Sequence, residues 1–100
     1  MNPHTRKLLT VITEAAIEAP LLQDIERLGA HGYTLTDARG KGRRGARTSD
    51  WDTSSNIRIE VVCDEATAAA IASHLQVNYY PHYAMILFTA DVQVLRPEKF

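Results

Sequence analysis

The residues best suited to chemistry lie in one short basic stretch, residues 39–47, of a chain of 100 residues. Glycine lets backbone N–H groups approach an oxyanion closely, and arginine meets phosphate or carboxylate with two parallel hydrogen bonds. The cations are Arg39, Lys41, Arg43, Arg44 and Arg47, and the glycines between them are Gly40, Gly42 and Gly45. The stretch therefore suits an anionic ligand, although a solvated basic loop is the plainer interpretation of these residues taken alone.

Composition limits what that basic stretch can be. The formal net charge is −1, so acidic residues elsewhere balance the cluster. This argues against a general nucleic-acid coat and for one local anion site. The length predicts one domain over residues 1–100 with a modest apolar core.

Several other function classes have no support in the sequence. The four histidines are dispersed and the single cysteine, Cys63, follows an apolar run, so we expect a buried strand thiol and no protein-borne metal site. No nucleophilic or Walker motif is present, which predicts a protein that is not an enzyme. The N-terminus has no apolar signal core and no run reaches membrane-spanning length, and we therefore expect a cytoplasmic protein.

The elements that must position the basic stretch follow from hydrophobic periodicity and turn residues. Pro20 is expected to open the first helix and Gly29 or Gly32 to end it, while Asp64 is expected to cap the second helix, which runs to about Val77. Residues 39–55 have no periodicity, and a loop of this length in a small domain is commonly functional. The predicted strands are residues 6–13, 33–38, 56–62 and 84–95, followed by a tail at residues 96–100.

This order, βαββαβ, predicts an α+β fold of the ferredoxin-like split βαβ type, an antiparallel sheet covered on one face by both helices. The other face then needs a cover, and in so short a chain we expect other copies of the chain to supply it. The long loop projects from the sheet between the second and third strands.

From residue 32 onward the chain resembles the PII family of signalling proteins. Gly32-Tyr33-Thr34-Leu35-Thr36-Asp37, followed by Gly40-Lys41-Gly42-Arg43, is similar to the second strand and loop base of these proteins. Residues 40–47 and 54–61 narrow the resemblance to PII-like proteins of inorganic-carbon uptake, which include partners of a bicarbonate transporter and carboxysome-associated members. The resemblance covers residues 7–95.

The resemblance implies a homotrimer whose subunit clefts bind an adenine nucleotide, ADP or AMP rather than ATP, with bicarbonate as a further ligand. The T-loop, at about residues 39–55, would report the ligand to a carbon-uptake transporter or a carboxysome-related protein. The implied nucleotide-binding residues are Thr34, Gly40, Lys41, Gly42, Arg43, Arg47, Val62, Tyr83 and Ala84. The implied bicarbonate ligands are Lys41, Arg44 and Arg47.

Three departures from the family pattern limit these implications. Residues 81–85 replace the glycine-rich second nucleotide-binding loop, which argues against ATP with 2-oxoglutarate. Residues 39–55 contain no tyrosine for uridylylation, and the cysteine-bearing C-terminal loop of some transporter-associated members is missing. We therefore expect neither uridylylation nor redox control.

Several individual residues allow two interpretations each. Trp51 is either packed on the stem of its own loop or, as we predict, a contact for a partner protein. Arg58 and Glu60 are expected to form cross-strand or subunit ion pairs, and Lys41 could pair with Asp37 instead of binding a ligand. The tyrosines are expected to be core or interface residues, with Tyr83 also near the nucleotide; they are Tyr79, Tyr80 and Tyr83.

Three alternative functions remain open from the sequence. The basic loop with Trp51 as a stacking platform could bind single-stranded nucleic acid. A small trimeric enzyme could hydrolyse nucleotides, and a purely structural trimer could use the loop as a tether. Strong salt dependence of binding would indicate the nucleic-acid binder, and phosphate release would indicate the enzyme. Nucleotide titration separates the structural trimer from a nucleotide sensor.

Overall fold

The structure, a computed structural model, describes residues 4–41 and 55–100. These residues form four strands and two α-helices, with a 3-10 turn at Ala15–Ile17 before the first helix and another at Pro97–Lys99. The strands are β1 His4–Glu14, β2 Thr34–Ala38, β3 Asn56–Cys63 and β4 Met85–Val94, and the helices are α1 Glu18–Arg27 and α2 Glu65–Asn78. The order βαββαβ confirms the prediction.

The strands form one antiparallel sheet in the order β2-β3-β1-β4. Helix α1 connects β1 to β2, and α2 connects β3 to β4. Both helices pack on the same face of the sheet. This is the ferredoxin-like α+β arrangement that the element order predicted. Strands β2 and β4 are the edges of the sheet, and β1 and β3 are its centre.

The core lies between the sheet and the helices, on what we call the inner face. Directly paired residues in antiparallel strands share a face, and Leu9, Val11 and Thr13 of β1 pair with residues of β3 that are also buried. The helices contribute a buried apolar stripe at helical spacing. The core residues of the helices are Leu21, Ile25, Ala68, Ile71 and Leu75. Cys63 is buried at the end of β3, as expected.

The helix ends agree with their sequence signals in two places and differ in one. The Asp64 carboxylate accepts a hydrogen bond from the Thr67 N–H (2.8 Å), which caps α2 as expected. Gly29 follows α1 with a φ of 120°, a conformation that glycine adopts readily. Pro20, expected to open α1, is its third residue, because the first turn of a helix needs no N–H from proline.

Among the residues that the structure describes, no helix lies over the outer face of the sheet. Ile86 and Phe88 of β4 are about half exposed there. Thr10 pairs with Phe88 and with Glu60, and its side chain is fully buried between them. Its hydroxyl has no hydrogen-bond partner among the described residues. A partly apolar face of this kind is typical of a surface that another molecule covers.

Candidate functional site

A cleft of about 230 Å³ opens on the outer face of the sheet, at the end where β2 begins and β3 finishes. Thr34 and Glu60 are directly paired in the β2–β3 register, and Leu8 and Val62 in the β1–β3 register. This pairing brings residues from three strands onto one small surface. The lining residues are Leu8, Gly32, Tyr33, Thr34, Glu60, Val62, Lys99 and Phe100.

The lining suits a flat ring with a hydrogen-bonding edge. Leu8 and Val62 give an apolar surface, Tyr33 and Phe100 bring aromatic rings, and the Thr34 hydroxyl and Glu60 carboxylate are polar groups. Sites for complete drug-sized ligands span about 300–1,000 Å³. The cleft is smaller than these and matches a part of such a ligand, such as a heterocyclic base.

Glu60 also belongs to an ion pair. Arg58, two residues earlier on the same strand face, donates from Nη2 to Glu60 Oε2 at 3.0 Å. From the sequence, we expected each of these residues to form an ion pair across strands or subunits. The structure instead pairs them with each other, because residues two apart on one strand lie on the same face. Among the described residues Oε1 of Glu60 has no such partner, so this oxygen is available to a ligand in the cleft.

Two of the residues predicted to bind nucleotide, Thr34 and Val62, line the cleft together. Gly40 and Lys41 follow the opposite end of β2, and about 13 Å of strand separates Thr34 from Ala38 at about 3.3 Å per residue. Lys41 forms no ion pair with Asp37, the alternative that the sequence left open; both residues are described. Predicted residues outside the described ranges are Gly42, Arg43, Arg44, Arg47 and Trp51.

The remaining predicted residues, Tyr83 and Ala84, lie at the opposite edge of the sheet. The Ala84 N–H donates to Glu14 Oε2 (2.9 Å), and the Thr13 hydroxyl donates to the Ala84 carbonyl (2.9 Å). Glu14 and Ala38 both pair with Asn56, so Ala84 is at the same end of the sheet as the loop base. Three strand spacings of about 4.8 Å place it about 14 Å away. One chain alone therefore does not assemble all the predicted residues.

The segment before β4 is held by a polar network that joins the two helices. The Tyr79 hydroxyl donates to Asp24 Oδ2 (2.6 Å), which also lies 3.1 Å from His74 Nε2, and Arg27 donates to Asp24 Oδ1. The hydrogen bond from Tyr79, followed by those from His74 and Arg27, lowers the pKa of Asp24. Burial, together with this bond, raises the pKa of Tyr79. The Tyr79 ring then contacts Tyr83, at 5.9 Å between centroids.

Sequence reasoning missed part of the cleft. Glu60 could have been recognised, since it shares a strand face with Val62, which was predicted. Lys99 and Phe100 carried no signal, because the segment expected to be a tail forms a turn that only the folded chain brings to the cleft.

Within residues 4–41 and 55–100, no three His, Cys, Asp or Glu side chains are grouped to hold a metal ion. No helix in these ranges is long and apolar enough to cross a membrane.

Comparison with known protein families identifies one model that covers nearly the whole chain. Residues 6–99 match the model described as nitrogen regulatory protein P-II. The match includes all four strands except the first two residues of β1, both helices and the segment between β2 and β3. It therefore covers every residue of the cleft except Phe100.

Solved structures agree with that match. A PII-like signalling protein from Thermus thermophilus is 44% identical, with a TM-score of 0.84, over 100% of this chain and 99% of that one. CPII, a nitrogen regulatory PII-like protein from Thiomonas intermedia bound to ADP, AMP and bicarbonate, is 25% identical (TM-score 0.84; 99% and 96% covered). CPII bound to ADP and bicarbonate is 26% identical, also at 0.84, over 99% and 97% of the two chains.

Proposed function

The chain belongs to the nitrogen regulatory protein P-II family, and from this premise we propose that it is a non-enzymatic sensor of adenine nucleotides and bicarbonate. The observation that carries the proposal is the cleft in which Thr34 and Val62 meet on the outer sheet face. It is supported by the full-length similarity to CPII, whose solved forms hold ADP, AMP and bicarbonate. ADP or AMP is the favoured nucleotide.

The nucleotide is proposed to lie along β2. Its adenine occupies the cleft beside Thr34 and Val62, and its phosphates extend past Ala38 to the glycines and cations that follow this strand. Backbone N–H groups at the glycines and the Arg and Lys side chains then face the phosphates. The proposed phosphate-binding residues are Gly40, Lys41, Gly42, Arg43 and Arg47.

A neighbouring copy of the chain completes the site in this proposal. Tyr83 and Ala84 are about 14 Å from the loop base of their own chain, by three strand spacings, so a second protomer must bring them to the nucleotide. A homotrimer would also cover Ile86 and Phe88 on the outer face. Because the Ala84 N–H is already bonded to Glu14, we assign Ala84 an apolar contact with the ligand.

Bicarbonate is proposed to bind beside the phosphates, at Lys41, Arg44 and Arg47. When one guanidinium contacts both a phosphate and a small planar anion, either ligand holds it in the position that the other needs. Such coupling between two ligands is typically worth about 1–3 kcal/mol of binding free energy. Ligand binding would change what residues 39–55 can dock against, and Trp51 would then contact a partner protein of carbon uptake or the carboxysome. A ligand of this class and a free thiol at Cys63 agree with a cytoplasmic location.

The proposal predicts that the Arg47→Ala variant loses affinity for ADP and for bicarbonate but keeps its oligomeric state. Loss of a charge-assisted hydrogen bond to phosphate should weaken ADP binding by about tenfold. Calorimetric titration of ADP and AMP, each with and without bicarbonate, measures both ligands and their coupling. Arg27→Ala, which removes an arginine of α1 outside the proposed site, is the matched control.

Three outcomes would contradict the proposal. A native chain that binds no adenine nucleotide removes the sensor function, and phosphate release from bound nucleotide would make the protein an enzyme. Tight, salt-dependent binding of short oligonucleotides without nucleotide binding would favour the nucleic-acid alternative. Equal affinities in the native chain and in Arg47→Ala would exclude Arg47 alone from the site.

A further inference from the structure

The C-terminal turn brings two side chains to the cleft from outside the three strands that form it. The 3-10 turn Pro97–Lys99 is closed by hydrogen bonds from the Lys99 N–H to the Arg96 carbonyl (3.0 Å) and from the Phe100 N–H to the Pro97 carbonyl (3.1 Å). Lys99 and Phe100 then line the cleft together with Thr34 and Glu60. The turn therefore forms one wall of the cleft.

We propose that Phe100 is the aromatic wall on which the ligand's base stacks, an inference that rests on the proposed function and adds a base-binding residue to it. The stacking partner would be a flat heterocyclic ring, with Leu8 and Val62 as its apolar surroundings and Glu60 at its polar edge.

Three observations favour Phe100 for this task. The residue is 36% exposed, so a ligand can still bury part of its surface. Among the described residues the ring makes no contact with another aromatic ring, whereas Tyr79 and Tyr83 are already in contact with each other. Pro97 fixes one backbone angle at the start of the turn, which reduces the entropy lost when a ligand orders the segment.

Stacking also accounts for a cleft that is too small for a complete nucleotide. The cleft holds about 230 Å³, and only the base needs a dry contact, since ribose and phosphates can remain partly hydrated. Stacking of a base on an aromatic side chain does not depend on which base it is. Phe100 would therefore supply affinity, and the polar groups opposite it would supply selectivity.

The test uses calorimetry of ADP with the full chain. Phe100→Ala should weaken ADP binding about tenfold, within the range that base stacking on an aromatic side chain supports. Phe100→Leu, which keeps an apolar side chain but loses the ring, should also bind more weakly than the native chain. Leu95→Ala is the control, because Leu95 is an exposed apolar residue of the same terminal segment that does not line the cleft.

A fluorescence experiment tests the contact itself. The double variant Phe100→Trp, Trp51→Phe has its only tryptophan in the cleft, since the native chain has one tryptophan. Saturating ADP should change the emission of this variant strongly. Unchanged emission, or Phe100→Ala binding ADP as tightly as the native chain, overturns the stacking role and leaves the proposed function intact. A native chain without ADP affinity overturns both.

Discussion

Glu60 belongs both to an ion pair on the sheet and to the lining of the cleft. Oε2 accepts from Arg58 at 3.0 Å, which orients the carboxylate, and the same side chain lines the cleft opposite Thr34. A carboxylate accepts hydrogen bonds and does not donate them. It therefore favours a base that presents an amino group at the edge facing it, as adenine does, and disfavours one that presents a carbonyl oxygen.

We predict that Glu60→Gln reduces the preference for ADP over inosine diphosphate by about tenfold, since inosine presents a carbonyl oxygen where adenosine presents the amino group. The glutamine amide can donate to that oxygen, whereas the carboxylate leaves it unpaired and repels it. Calorimetric affinities for the two nucleotides, in the native chain and in the variant, give the ratio.

Glu65→Gln is the matched control for Glu60→Gln, because Glu65 belongs to the first turn of α2 and does not line the cleft. An unchanged ADP preference in Glu60→Gln, with adenine nucleotides still bound, would show that the base presents another edge to this carboxylate.

At the scale of elements, Asp24 is the residue through which α1 and α2 are joined by polar contacts. It accepts hydrogen bonds from Tyr79 and Arg27 and faces Nε2 of His74. The Asn78 amide donates to the His74 carbonyl and lies 3.1 Å from Nδ1, so Nδ1 acts as the acceptor and Nε2 carries the proton that faces Asp24. The network fixes the position of Tyr79, whose ring contacts Tyr83 in the segment before β4.

This network predicts a loss of stability in acid. Its hydrogen bonds lower the pKa of Asp24 below the ordinary value of 3.8, so the ionised carboxylate stabilises the fold above about pH 4, and this contribution is lost as the pH falls through the folded-state pKa. Asp24→Asn should therefore be less stable than the native chain at pH 6, by about 1–2 kcal/mol. The difference should shrink below the ordinary pKa of the carboxyl.

Urea unfolding of both chains between about pH 6 and pH 2 measures that difference across the window in which the carboxylate takes up its proton. Asp91→Asn is a control, because Asp91 is exposed where it pairs with Lys7 and exposed pairs contribute little. A stability gap between the native chain and Asp24→Asn that stays constant over this whole range would contradict the assignment.

The elements themselves could be predicted because their signals are local. The alternation in residues 56–62 and the cap at Asp64 depend on neighbours within a few residues, and both are confirmed by β3 and α2. The cleft could be predicted only in part, since Thr34 and Val62 were implied by the resemblance to the PII family and not by any local pattern. Phe100 belongs to no periodic segment, and its place at the cleft depends on contacts that are distant in sequence.

At the scale of the whole molecule, the outer face decides whether the candidate site is complete. The described chain leaves Ile86 and Phe88 half exposed on this face and buries the Thr10 hydroxyl without a partner among the described residues. Buried polar groups are normally hydrogen-bonded, and exposed apolar patches mark contact surfaces. Both features are explained if copies of the chain cover the face, and the same contact would bring Tyr83 to a neighbour's loop base.

We predict that Phe88→Lys dissociates the proposed homotrimer, because a charged side chain at the centre of an apolar interface would lose its hydration without gaining a partner. Light scattering coupled to size-exclusion chromatography should give about three times the chain mass of 11.2 kDa for the native protein and about one chain mass for the variant. Val77→Lys, at an exposed apolar residue of α2 away from the outer face, should remain a trimer. Since the proposed nucleotide site spans two protomers, Phe88→Lys should also lose ADP affinity, although Phe88 does not line the cleft. A monomeric native chain, or a Phe88→Lys trimer, would exclude this face as the interface.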